Sequence, residues 1–359
     1  MRRTPHRPGF TLVELLVVMT IIFILAGLAA TAGSSAISFA KRARVLAEIK
    51  QVHMGVEHYK LEYGDYPPCM GDADTTLTSS TGRAARLMRH LQKAFPRFIV
   101  SDTDGNGDYG YGELQARLTS AGFNYFPDPT VTTGAPSNLS LNTLDQAEAL
   151  VFFLAGPPTP YENSTGSWQL SGTTKTYGFH SDPTNPFRND PVGQTRSING
   201  RSFEFVEDRL VDRDRDGWLE YIPDIKTSAT IDPPYVYFDG NLYTRSPMTA
   251  AYIGTTPPDT NLTTYPQDRS YLPYPFTVGA NGFAVPYSKQ NLGTTVYSWV
   301  NPDTFQIVCA GFDGLYGAST FNGARRIYST LANFDISTNA ADDDNLTNFY
   351  GGELAAAVD

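Results

Sequence analysis

The residues best suited to chemistry are acidic and come in turns. Asp102, Asp104, Asn106, Asp108 and Glu113 sit in a stretch that satisfies D-x-[DN]-x-[DN]-G-x5-E, with the glutamate in the twelfth place. Calcium takes six to eight oxygens in flexible geometry, and alternating carboxylates and amides on a turning loop supply them. A second turn, Asp212-Arg-Asp214-Arg-Asp216-Gly217, repeats the first half of that pattern. Its twelfth residue is Pro223, so the closing carboxylate must come from Glu220, Asp224 or elsewhere, and Arg213 and Arg215 compete for the aspartates. The first turn therefore reads as a Ca2+ site, and at the second Ca2+ and pairing of the aspartates with Arg213 and Arg215 are both open.

Other chemistries find little support. Gly105, Gly107 and Gly110 fit G-x-G-x-x-G, yet they lie inside the acidic loop, where Asp102, Asp104 and Asp108 repel phosphate. No H-E-x-x-H or G-x-S-x-G occurs, and His53 and His58 read as polar-face residues of a helix. No catalytic set of acid, base and nucleophile emerges, so the chain reads as a non-enzyme. The formal charge of −10 argues against nucleic-acid binding, which needs a basic face.

One carboxylate is different. Glu14 sits in an apolar run, Gly9 to Ala32, behind a leader containing Arg2, Arg3 and Arg7. A charge at bilayer depth costs roughly 2.5 to 3.5 kcal/mol, so it needs a partner or a task. Leu15 to Ala40 carries no charge and no proline, which reads as a membrane span with its basic end in the cytoplasm. Beyond it, Val45, Ile49, Val52, Val56, Tyr59 and Tyr63 recur at helical spacing, while Glu48, Lys50 and Glu57 fall on other faces. A single helix from Phe10 to Tyr63 would be about 80 Å long. It must stop near Gly64, because Pro67 and Pro68 cannot continue it; a hinge at Gly27 or Gly33 is the alternative.

Gly9 followed by Phe10-Thr11-Leu12-Val13-Glu14 resembles the class III signal of type IV pilins and type II secretion pseudopilins. The resemblance implies cleavage after Gly9 by a prepilin peptidase, methylation of Phe10, and pairing of Glu14 with the Phe10 amine of a neighbouring subunit. Loss of the leader arginines would take the charge to −13. The phrase Tyr63-Gly64-Asp65-Tyr66-Pro67 is similar to the helix end of the major pseudopilins and favours them over adhesive pili. Near the C-terminus, Gly311-Phe-Asp313-Gly314 and Asp342-Asp343-Asp344 resemble the two halves of the calcium loop of that family, here separated by an insertion.

The expected organisation is a leader at 1–9, a transmembrane half-helix at 10–40, a periplasmic half at 41–66, and a globular head at 67–359. Within the head, 71–297 reads as a large insertion and 298–359 as the pseudopilin-like end. Helical patterns at 83–94, 112–120 and 144–154, set among Gly, Pro and Asn punctuation, suggest an α+β head with a small antiparallel sheet on the long helix. Cys69 and Cys309 are a candidate disulfide or two buried thiols. The resemblance implies a subunit of a type II secretion pseudopilus, anchored in the bacterial inner membrane with a periplasmic head. Its partners would be other pilin or pseudopilin subunits, the peptidase and an inner-membrane assembly platform. The alternative is a minor pilin whose head binds a surface, glycan or secreted cargo, with aromatics from Tyr235 to Tyr274.

Overall fold

The computed structural model describes residues 11–70, 83–98, 143–158, 178–187, 201–214, 216–225, 232–240, 286–290, 296–316 and 344–351. Single or paired residues at 124–125, 137–138, 161–162, 168–169, 176, 248–249, 276–277, 283–284 and 326–327 are described as well. The chain divides into two compact units, Met1–Val45 and Leu46–Asp359.

Helix α1 runs from Leu12 to Tyr63 and crosses the boundary between the units without a break in its helical assignment. In the first unit the large hydrophobic residues from Leu12 to Leu28 are between 48% and 79% exposed, whereas Val45 is fully buried. Among the described residues no helix is long and apolar enough to cross a membrane. The described run from Leu12 to Leu28 extends about 25 Å at a rise of about 1.5 Å per residue, and the side chains of 29–35 lie outside the description.

In the second unit the predicted stripe packs. Ile49, Val52, Val56 and Tyr59 are fully buried and Tyr63 nearly so. α1 ends at Gly64, whose φ of +81° favours glycine and whose N–H donates to the Lys60 carbonyl at 2.7 Å. Tyr237 then donates its hydroxyl to the carbonyl of Pro67, fixing the exit of the chain.

Helix α2 (Arg83–Ala94) lays Leu87, Met88 and Leu91 into the core and brings His90 Nε2 to 2.8 Å from the Tyr59 hydroxyl. Helix α3 (Gln146–Ala155) is buried at every residue. It starts with a capping box, in which Asp145 accepts from the N–H groups of Ala147 and Glu148 while Glu148 accepts from that of Asp145. It stops at Gly156, where φ is +80° and an added Cβ would lie 2.3 Å from the Gly178 backbone. The predicted helix at 112–120 lies outside the described residues.

A three-stranded antiparallel sheet has Phe305–Cys309 at its centre, flanked by Val236–Asp239 and Leu346–Thr347. It faces the second half of α1 through Phe305, whose ring centroid is 4.7 Å from that of His53 and 5.3 Å from that of Tyr66. The strand at 236–239 belongs to the stretch read as an insertion, yet it pairs along the central strand, so part of the 71–297 segment is built into the core sheet. A four-stranded sheet orders 326–327, 287–290, 296–299 and 248–249, with a parallel pair between the first two that the antiparallel expectation lacked.

Candidate functional site

Two regions bear on function. At the start of α1, Gly9 and Phe10 lie outside the described residues, but Glu14 is placed. Its Oε2 accepts from both the backbone N–H and the hydroxyl of Thr11, each at 2.8 Å, and its own N–H donates to the Thr11 oxygen at 3.3 Å. Thr11 and Glu14 therefore form a capping box, a local partner for the carboxylate that the sequence reading did not anticipate. The contact is exposed, which leaves the carboxylate accessible to another chain.

The second region is acidic and lies in the head. Strands Leu210–Val211 and Glu220–Tyr221 pair antiparallel and carry the turn of Asp212 to Asp216 between them. Gly217 adopts φ +96°, as a sharp turn after the fifth loop position requires. Asp212 orders this turn: its Oδ1 accepts from Asp216 N–H and its Oδ2 from Gly217 N–H, both at 3.1 Å. One oxygen from each of Asp212, Asp214 and Asp216 falls within 4.8 Å of the others. The same separation relates Asp214 to Asp145 and Glu148 at the start of α3. Trp218, fully buried, packs edge-on against Phe152 of α3 with centroids 5.2 Å apart and holds the turn against the helix.

Glu220 plays another part. It is fully buried and accepts from Arg213 Nε and a terminal nitrogen of the same guanidinium, each at 2.8 Å. The structure thus spends on Arg213 the carboxylate that spacing offered as the closing ligand. A planar guanidinium engages a carboxylate with two parallel bonds, and a buried glutamate gains most from such a partner. Burial raises the carboxyls of Asp145 and Glu148 well above their usual range, and neighbouring carboxylates push in the same direction. Asp214 is raised for the same two reasons. These groups repel one another unless a cation or protons intervene.

The other predicted turns fare differently. Asp102, Asp104, Asn106, Asp108 and Glu113 all lie outside the described residues, as do Asp342 and Asp343. At the C-terminal turn, Asp344 comes to Asp313 despite the insertion: its Oδ2 accepts from the N–H of Phe312 at 2.5 Å and of Asp313 at 3.0 Å. Asp313 itself accepts from Leu315 N–H at 2.7 Å. Both carboxylates accept from backbone amides, while the other oxygen of Asp344, Oδ1, is buried without a hydrogen-bond partner. Cys69 and Cys309 are both buried, and no disulfide joins them.

Glu48, whose spacing places it off the apolar stripe of α1, is a hub. It pairs with Arg209 and accepts from the hydroxyls of Tyr221 at 2.7 Å and Tyr235 at 2.6 Å. His53, also assigned to a polar face, is half-buried and meets Asn348 Nδ2 at 3.1 Å. The described tyrosines of the proposed glycan-binding stretch, Tyr235 and Tyr237, are fully buried.

Residues 5–30 match the prokaryotic N-terminal methylation motif, the signature of type IV pilins and pseudopilins. No curated protein and no solved structure matches the chain. The motif supports a type IV pilin-like, structural protein made as a membrane-anchored precursor, and implies interaction with prepilin peptidase and with other pilin subunits.

Proposed function

We propose that this chain, starting from its N-terminal methylation motif, is a filament subunit of a type II secretion pseudopilus. It is cleaved after Gly9, methylated at Phe10 and assembled through α1. The observation that carries this reading is the conjunction of the motif with the uncovered apolar segment directly behind it, Leu12 to Leu28. A helix apolar on all sides has no solvent-facing stripe, so it belongs in lipid or among like helices. The segment occupies the inner membrane before assembly, with the head in the periplasm and an inner-membrane platform drawing the subunit into the filament. Glu14 then exchanges its local Thr11 bonds for the Phe10 amine of the next subunit. The gain is large only in a medium of low dielectric. Catalytic turnover has no part in this mechanism.

The test is intact mass with N-terminal fragmentation of protein from its native host, taken from sheared surface filaments and from washed envelopes. A chain beginning at methylated Phe10 and retained in the envelopes is expected. A chain beginning at Met1, or after Ala32, would overturn the reading, and abundance in the sheared fraction would replace a pseudopilus with a surface pilus. The Glu14→Val variant should insert into the membrane normally but fail to enter filaments.

A further inference from the structure

The acidic turn of the head and the start of α3 each supply carboxylates to one place. We infer that the head binds one Ca2+ between them, with Asp212, Asp214 and Asp216 from the turn and Asp145 and Glu148 from α3 as its carboxylate ligands. The inference does not rest on the filament reading.

The turn supplies the beginning of a calcium loop. Asp212, Asp214 and Asp216 occupy its first, third and fifth positions, and Gly217, at φ +96°, occupies its sixth. Such a loop needs a late carboxylate, which the twelfth residue, Pro223, cannot provide. Glu220 is spent on Arg213. Glu148 takes the vacant role from another element: an oxygen of it lies within 4.8 Å of those of Asp145 and Asp214, and oxygens of Asp212, Asp214 and Asp216 are grouped at the same limit. Oxygens bound to one calcium at about 2.3 to 2.6 Å lie no more than roughly 5 Å apart, so each group is compact enough for an ion, and Asp214 belongs to both.

Two further observations separate this place from an ordinary acidic surface. Glu148 is 1% exposed and Asp216 9% exposed. Glu148 Oε1 and Asp216 Oδ2 are buried without any hydrogen-bond partner, although the other oxygen of each carboxylate accepts a backbone N–H. A buried carboxylate oxygen without a donor is costly, and here one belongs to each of the two acidic groups that Asp214 links, where a cation would satisfy it. The donor set is oxygen only and rich in charge, which suits calcium; zinc favours sulfur and nitrogen, and magnesium prefers to keep its waters. Because Asp145 and Glu148 are also the capping box of α3, the ion would hold the start of that helix to the turn.

The test uses the full chain in detergent micelles, stripped with chelator, in a Glu113→Ala background that disables the loop at 102–113. Titration with CaCl2 is followed by calorimetry and by Tm. At a hundredfold excess over Kd, Ca2+ should raise Tm by roughly 5 °C. Glu148→Gln should weaken binding at least tenfold and Asp214→Asn should remove one equivalent of Ca2+, whereas the exposed Asp224→Asn should bind as the parent does. In chelator both ligand variants should melt no lower than the parent, since an amide relieves repulsion. Unchanged affinity and stoichiometry in Glu148→Gln and Asp214→Asn would overturn the site, as would a Tm indifferent to chelation. Should either variant fail to fold, Tb3+ luminescence decides: emission sensitised by tryptophan should vanish in Trp218→Phe, and its persistence would place the ion elsewhere.

Discussion

The two halves of α1 are built from similar apolar residues and meet opposite surroundings. Between Leu12 and Leu28 the large side chains point in every direction and all stand exposed. Between Ile49 and Tyr63 most fall on one stripe, which is buried, while Met54 and Leu61 off that stripe are 61% and 84% exposed. The halves differ in apolar content and in periodicity, since Lys50, Glu57, Lys60 and Glu62 alternate with the stripe of the second half while the first carries only Glu14. A one-sided stripe can be satisfied by its own chain, whereas an all-round surface requires lipid or other subunits.

Charge substitution separates the halves most sharply. Ile49→Asp buries an unpaired carboxylate and should destabilise the head by 4 kcal/mol or about that, as measured by denaturant unfolding of the full chain in detergent. Acid provides a second, smaller test through His90 beside Tyr59. Burial pushes His90 down to about 4 from its ordinary value of 6.5. The unfolded chain therefore takes up the proton first as pH falls, and stability present above about pH 6.5 is lost between there and pH 4. The loss reaches roughly 3 kcal/mol, and the difference in pH profile between the parent and His90→Gln isolates it. Glu48→Gln, which weakens the pair with Arg209, should cost about 2 kcal/mol by the same denaturation assay. Smallest of all, Ile22→Ala in the uncovered half should shift head stability by less than about 0.5 kcal/mol. A larger effect would mean that the two halves are not energetically separate.

What the sequence made legible was local. The α1 stripe, its stop at Gly64, the bounds of α2 and the Asp212 turn all depend on neighbours a few residues apart. The helix at 144–154 was legible as an apolar run, and Asp145-x-x-Glu148 carried the pattern of a capping box, but nothing local showed that these acids face Asp214. The hub at Glu48 was missed for the same reason: its partners, Arg209, Tyr221 and Tyr235, lie more than 160 residues away. A charge beside a helical stripe looks solvated until a distant guanidinium and two hydroxyls reach it. Gly55 is a similar case, since only the structure brings Phe203 within 2.9 Å of where its Cβ would stand.

Asn348 joins the two ends of the head. Its amide oxygen accepts from Ile307 N–H at 2.9 Å, and its nitrogen meets His53, 295 residues earlier. A contact across 295 residues cannot form until Asn348 has been synthesised. Until the strands at 236–239 and 305–309 follow, the stripe of α1 is without its sheet, exposing apolar surface to misassociation. The head therefore matures as a late event of biogenesis, and truncation close to the C-terminus should be felt at the helix where the head began.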